Sequence, residues 1–371
     1  MWKDQVLSEP VVPYEERRRR IEADPLPENI GAQSWRHYPL HEQPARSPRL
    51  MTRKSHPILS MTVSRIGLGL LSLLIVTLVI FSSVELLPGS YATAILGQNA
   101  TPEAVAAMEE QLGLNRPLPI RYVEWLGNAA MGDLGTSFSG RPVMAVIGPR
   151  LQNTLILASI TAAIAVPLAI GVGIFCARYR GRLADRFLST STLAAISVPE
   201  FLVAYVVMVV LAVQLKWLPS MAGIRASMDF GEQLYRMILP ILTLLLVILA
   251  HMARNTRAAI LSVMSSPYVE MARLKGQPEG RVVMREALPN AIGPIASVVA
   301  LNLAYLISGV VVVEVVFVYP GVGQAMIDAV RNRDIAVIQA CALIFSAAYI
   351  GFNLIADIIS IVSNPRLLHP R

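Results

Sequence analysis

The sequence predicts an all-α integral membrane protein, a bundle of six spans, and three observations carry that reading. Of its 371 residues, 54% are hydrophobic and 15% charged, against about 45–50% and about 25% in soluble domains. Six apolar segments reach the about 17–25 residues a helix needs to cross the hydrocarbon layer, and helix is the one open-ended structure that satisfies its own backbone there. The basic residues gather in alternate connections between those segments.

The spans follow in order. Ile66 to Val84 and Leu151 to Ala177 are uncharged, and Phe187 to Leu215 carries one charge, Glu200. Met237 to Ala253 holds only His251, Ala287 to Val313 is uncharged, and so is Ile335 to Ala356, which ends before Asp357. The connection after the second span reads Arg178, Arg180, Arg182 and Arg186 with one Asp; the one after the fourth holds Arg254, Arg257, Arg273, Lys275, Arg281 and Arg285. Short loops rich in Lys and Arg stay in the cytoplasm, so both termini are expected there.

Residues 1 to 61 read as a disordered cytoplasmic tail and 62 to 371 as the membrane domain. The first 60 residues hold eight prolines, the run Arg17 to Arg20 and no sustained apolar periodicity. The plain reading is a dispensable extension, the sharper one electrostatic attachment to anionic lipid or a partner. A cleavable signal peptide does not fit, because the first apolar run starts at Ile66 and is long enough to span. The segment 88 to 150 is the one sizeable external piece. In it Thr101 caps a helix with Pro102 at its first position and Gly113 as its stop, with Val105, Met108 and Leu112 on an apolar face that suits a small cap on the bundle. Asn99-Ala100-Thr101 is a formal glycosylation sequon and reads as a chance match.

Composition and motifs exclude most other classes. The two cysteines, Cys176 and Cys341, lie in apolar runs, so no disulfide framework or Cys-based metal site can be built. A net charge of +7 is spread between apolar segments and does not form an aromatic-studded nucleic-acid patch; the membrane surface is the better partner. No G-x-x-x-x-G-K-[ST] run exists to cradle ATP phosphates, and neither H-E-x-x-H nor an i, i+4 histidine pair on a span exists to hold zinc. No catalytic residue, cofactor or metal is therefore expected. Pumps and secondary transporters commonly carry several ionisable residues at membrane depth; here Glu200 is the clear one. A channel would show a filter motif or charged ring, and none is evident.

The most informative stretch is the loop 262 to 289. It reads Tyr268-Val269-Glu270-Met271-Ala272-Arg273-Leu274-Lys275-Gly276 and returns to the membrane through Glu286-Ala287-Leu288-Pro289. A helix over 263 to 275, turned at Gly276 with φ > 0 and followed by a second short helix, makes a shape that can plug a groove. Glu270, Ala272, Gly276, Leu288 and Pro289 match in register the cytoplasmic signature of ABC importer permeases, which this chain resembles; Met271 replaces an alanine and Glu286 stands where an aliphatic residue is common. The resemblance narrows to the dipeptide, oligopeptide and nickel permease family through Gln111 to Pro117, Gly132 to Ser137, Trp217-Leu218-Pro219, Val312-Val313-Glu314, Tyr319-Pro320-Gly321-Val322-Gly323, Asn353 with Asp357, and Asn364-Pro365-Arg366. It covers about residues 62 to 368.

The resemblance implies a six-span type I importer permease in a bacterial inner membrane, carrying dipeptides or oligopeptides, with nickel chelates or another small solute as the alternative. It also implies partners: a second homologous permease, two ABC ATPase subunits docking at the loop, and an extracytoplasmic solute-binding protein. A secondary transporter or a homo-oligomeric channel is the competing class, and neither accounts for the Gly276 loop.

Several residues have two readings. Glu270 is either a docking residue or a solvated charge. Glu200 either lines the translocation pathway or repairs the carbonyl that Pro199 leaves unpaired in mid-span. Glu314 and Asp357 sit near water at helix ends as inter-helix contacts. His251 and Asn302 read as helix–helix hydrogen-bonding groups, and Arg254 and Arg257 as headgroup anchors.

Overall fold

A computed structural model describes residues 57–85, 91–96, 100–111, 113, 115–225 and 227–363. The chain divides into a unit of residues 1–54 and a unit of residues 55–371. The expected tail falls almost wholly outside the described residues, as do Leu112, Leu114 and the Asn364-Pro365-Arg366 motif.

The described unit is helical. Helix α1 spans Pro57–Glu85, α2 Tyr91–Leu96, α3 Pro102–Gln111 and α4 Leu118–Ala130. Then come α5 (Val143–Arg178), α6 (Leu183–Ile196), and α7 (Glu200–Met208), which continues as a π turn, Val209–Gln214. Helix α8 is Phe230–Met264, α9 Pro267–Leu274, and α10 Glu279–Arg281, which runs through a π turn, Val282–Ala287, into α11 (Leu288–Val316). Helices α12 (Val322–Asn332) and α13 (Ile335–Val362) close the chain.

Among the described residues five helices are long and apolar enough to cross a membrane, and the bent pair α6–α7 makes a sixth crossing if taken as one span. This corrects the continuous third span that the sequence suggests over 187 to 215. Pro199 offers no N–H to the preceding turn and its ring pushes Val198 out of the α region. Helix α6 therefore ends, the chain bends by 101°, and α7 restarts with Pro199 as its N-cap at φ −58°, ψ 140°. Glu200 is thus not repairing a mid-span gap; it stands in the first turn of a new helix, where a carboxylate complements the macrodipole.

Other boundaries move outward. Within the segment 88 to 150, Pro142 caps α5 and Val143 to Arg150 form its first turns. The fourth span lengthens at both ends, so Arg254 and Arg257 stand inside α8 and do not terminate it. Helix α3 follows the expectation, with Thr101 Oγ1 accepting from the Ala104 N–H at 3.3 Å and Gly113 at φ +64°. It packs on α2, and none of its residues is buried.

Helices α8 and α11 form the spine. Helix α5 packs along α8, α11 crosses it, α13 packs on α11, and α1 lies on α13. The main core joins Leu157 and Ala165 of α5, Leu244, Ile248 and Met252 of α8, and Leu306, Val310 and Val313 of α11, closed at one end by Phe317 and Tyr319. Lipid tails are as apolar as leucine, so close approach through small residues drives such packing. Gly173 shows it: a Cβ there would stand 2.6 Å from the Thr256 side chain. Helix α1 is joined to α4 by Phe81, Tyr122 and Trp125, and the Thr77 and Tyr122 hydroxyls are 2.9 Å apart.

The end of the bundle opposite the arginine-rich segments is locked by Glu314. The sequence places this residue near water; the structure buries it completely. The Thr154 hydroxyl donates to its Oε1 at 2.6 Å, and the Gly323 N–H donates to Oε2 at 2.7 Å. The Val322 N–H in turn donates to Thr154 Oγ1 at 2.9 Å. Asn153 reaches the Pro320 carbonyl and receives the Tyr319 hydroxyl on its own, each at 2.9 Å. The motif Tyr319 to Gly323 is therefore a turn wrapped around a carboxylate. Val318 is held at φ 52°, a conformation a β-branched residue adopts only when its surroundings over-determine it. Asp357, in contrast, makes the expected inter-helix contact, pairing with Arg65 at 3.1 Å where both side chains are half-exposed.

A Cβ at Gly321 would lie 2.0 Å from Glu314 Oε1, whereas one at Gly351 meets nothing within 4 Å. Gly321→Ala should therefore cost about 2 kcal/mol or more as overpacking, read as a lower melting temperature of the detergent-solubilised protein. Gly351→Ala should melt like the wild type.

Candidate functional site

Two places combine unusual chemistry with exposure. The first is the loop at the arginine-rich end. Helix α8 ends at Met264 and α9 starts at Pro267, so the single helix over 263 to 275 is corrected to two, separated by a tight turn at Ser265-Ser266. Pro267 at the first position suits a helix start, because no intrahelical acceptor awaits its missing N–H. Gly276 takes φ +77°, the turn the sequence requires of it. Beyond it, Arg273 bridges the turn to Glu279, Nη2 to Oε1 at 2.7 Å.

The loop is anchored through one face and open on the other. Val269 and Ala272 pack with Val282, and the neighbouring Val283, Ala287 and Ala291 pack beneath α8 with Ile260 and Met264. Outward stand Glu270, which pairs with no side chain among the described residues, and an apolar row of Tyr268, Met271 and Leu274, the last 77% exposed. Leu288 is half-buried and Pro289 exposed at the start of α11. Of the five signature residues, Ala272 holds the loop to the bundle, Gly276 turns it, and Glu270 faces away.

Nearby, Asp185 of α6 is buried and receives both Nε and Nη2 of Arg257 at 2.8 and 2.9 Å, along with the Gly181 N–H at 2.8 Å. Arg257 thus clamps α6 to α8 and is no free headgroup anchor. Sequence reasoning passes over Asp185, a lone acid among arginines.

The second place is Glu200. Its oxygens face α11, where a Cβ on Gly309 would stand 3.1 Å from Oε2, and Tyr305 lines the same small gap. Tyr305 in turn lies against the His251 ring, centroids 5.3 Å apart. Among the described residues no Lys or Arg pairs with Glu200. Thirteen residues of α8 separate Leu244, beside Glu200, from Arg257, which puts the carboxylate about 20 Å from the arginine-rich end. His251 joins two helices through its ring and not through a hydrogen bond to Asn302. That residue donates to Val298 on its own helix at 2.8 Å, because the carbonyl four residues back is the nearest acceptor in an apolar bundle.

Sequence reasoning also misses Asp334. It is buried, caps α13 through the Val337 N–H at 3.3 Å, and binds the Ser137 hydroxyl and the Phe138 N–H of the segment before α5. An Asp immediately before an apolar run is a cap signal; its second partner is not readable locally.

Among the described residues, five helices able to cross a membrane, a further crossing where the bent pair counts as one span, and a compact looped plug at one end describe a multi-pass membrane protein. The chain belongs to the family described as the binding-protein-dependent transport system inner membrane component, whose model matches residues 169–369; a companion model for the N-terminal part of that component matches residues 58–158. The chain is similar to the glutathione transport system permease protein GsiC of Escherichia coli and of Salmonella typhimurium, 37% identical over 302 residues, which is 81% of this chain and 96% of each relative. It is 35% identical over 289 residues, 78% of this chain and 92% of the relative, to the Sinorhizobium fredii protein named "Probable peptide ABC transporter permease protein y4tP". It is therefore a multi-pass inner-membrane permease subunit of an ABC importer, working with ABC partners and a solute-binding protein, and ATP hydrolysis belongs to a separate subunit.

Breaking the Asp185–Arg257 pair leaves an uncompensated charge in a nearly buried site, a loss of about 3–5 kcal/mol, whereas the exposed Arg273–Glu279 pair is worth about 0–1 kcal/mol. Arg257→Ala should sharply lower thermal stability in detergent, and Arg273→Ala should leave it within measurement error.

Proposed function

We propose that this chain forms half of the pathway of an importer for peptide-type cargo, pairs with a second homologous permease, and is driven by two ATPase subunits that grip the 262–289 loop. The observation that carries the coupling role is the loop's construction: a short helix fixed to the bundle through Val269 and Ala272, turned at Gly276, and presenting Glu270 with Tyr268, Met271 and Leu274 outward. A mixed apolar and acidic knob on a rigid stalk suits insertion into a groove of a partner that moves as a body. Peptide-type cargo is supported by the relatives, which are named as a glutathione permease and a probable peptide permease.

On this reading the arginine-rich end faces the cytoplasm, since Lys and Arg in short connections are retained there. ATP binding draws the two ATPases together, α9 moves with them, and α8 and α11 carry the tilt to the opposite end, where the binding protein releases cargo. Hydrolysis resets the bundle inward. The tail before α1 is then cytoplasmic as well.

The function is tested by reconstituting the chain with its partner permease, ATPases and binding protein in proteoliposomes and measuring ATP-dependent uptake of trialanine and glutathione. Uptake of neither would overturn the cargo reading. Gly276→Val forces a β-branched residue into a left-handed turn without touching a span. It should cut uptake at least about fivefold, the lower bound of typical coupling energies, with the protein still inserted. Glu270→Ala should be milder in the same direction. Wild-type uptake by Gly276→Val would remove the loop from the coupling path.

Orientation has its own test. A periplasm-active reporter fused after Arg182 should be silent and one fused after Gln111 active; the reverse pattern would invert the topology.

A further inference from the structure

Glu314, which is buried, and Glu200, which is half-buried, differ in one respect. Glu314 has its oxygens filled by the Thr154 hydroxyl and the Gly323 and Gln324 N–H groups. Glu200 has only the Tyr305 hydroxyl beside it as a side-chain donor among the described residues, in the gap they both line. An ionised carboxylate offers about four acceptor positions, so most of those on Glu200 stand empty. Leaving a charge unmatched against lipid costs about 2.5–3.5 kcal/mol even on the mildest scale. The place of Glu200 in the first turn of α7 suits a carboxylate but fills none of those acceptor positions.

The surroundings say what would fill it. The enclosed gap between Glu200, Thr243, Leu244, Tyr305 and Gly309 is about 10 Å³, room for no more than a single water. Glu200 therefore meets anything larger on its open side, where Tyr305 is 43% exposed and Phe201 54%. Below Tyr305 the same line of side chains continues through His251 to Arg254, one helical turn further along α8. This is a polar strip running lengthwise down an otherwise apolar bundle, with an unmatched anion at the far end and a cation at the arginine-rich end.

We propose that Glu200 is the subsite that receives the ammonium group of the cargo, with Tyr305 as the positioning residue that fixes its carboxylate. An ammonium brings three N–H donors and a positive charge, which is what the open acceptors of Glu200 lack. Tyr305, packed against the His251 ring, lines the gap beside the carboxylate and leaves acceptor positions on it unfilled. Cargo with a free amino group would be stabilised in the pathway relative to the same molecule without one. This rests on the proposed reading that the chain conducts peptide-type cargo.

The test uses the complete importer in proteoliposomes with two probes, trialanine and N-propionyl-dialanine, which keeps the backbone and lacks the ammonium. Each is supplied at a concentration that saturates the binding protein, so that differences in delivery drop out. A charge-assisted contact is worth about tenfold or more, and the wild type should move trialanine faster by that factor. Glu200→Gln should lose about tenfold in trialanine uptake and keep wild-type uptake of the propionyl analogue, while the complex still co-purifies. Glu200→Asp should restore most of the loss, and Tyr305→Phe should show a smaller loss confined to trialanine. Equal uptake of the two probes by the wild type, unchanged trialanine uptake in Glu200→Gln, or an equal fall for both probes would each overturn the subsite. Failure of the wild type to take up either probe would instead overturn the peptide-cargo reading itself, and the subsite with it.

Discussion

A bilayer supplies no hydrogen-bond partner, and the polar side chains of the described membrane-crossing helices are arranged under that constraint. Threonines 77, 161 and 243 turn their hydroxyls back to carbonyls three or four residues earlier at 2.8 to 2.9 Å. Asn302 does the same with its amide. Glu314 draws a hydroxyl and two backbone N–H groups around itself and so creates the turn that ends α11 and starts α12. Against that economy Glu200, with its unfilled acceptors, and the buried Thr256 hydroxyl, which has no partner among the described residues, stand as exceptions.

The same two helices serve three places between them. Helix α11 carries the Glu314 lock at one end, α8 and α11 border Glu200 in between, and both emerge on either side of the Gly276 loop at the other. Helices packed through small contacts, such as Gly173 against Thr256, shift as rigid elements and do not deform continuously. A loop fixed to both is therefore well placed to tilt the pathway, and the strained Val318 lies where such a tilt meets the opposite end.

Much of this was legible in the residues themselves. Apolar length places the spans, Gly276 announces its left-handed turn, and Thr101 with Gly113 brackets α3. Pro199 announces a break, yet whether the chain bends slightly or by 101° depends on what α6 and α7 pack against, and that is α8. Glu314 looks like a helix-end charge until Thr154, 160 positions away, is brought to it. Asp185 finds Arg257 in the same manner, across 72 positions.

The sequence by itself determined the elements whose causes are local: hydropathy over a window of about 20 residues, caps and prolines acting within one turn, and the left-handed backbone that glycine alone adopts cheaply. Tertiary structure decided the fate of each charge. Whether Glu200, Glu314 and Asp185 end as an open acceptor, a keystone or half of a clamp depends on donors brought within 3 Å from distant helices, because hydrogen bonding and desolvation act over that range while chain separation does not enter them.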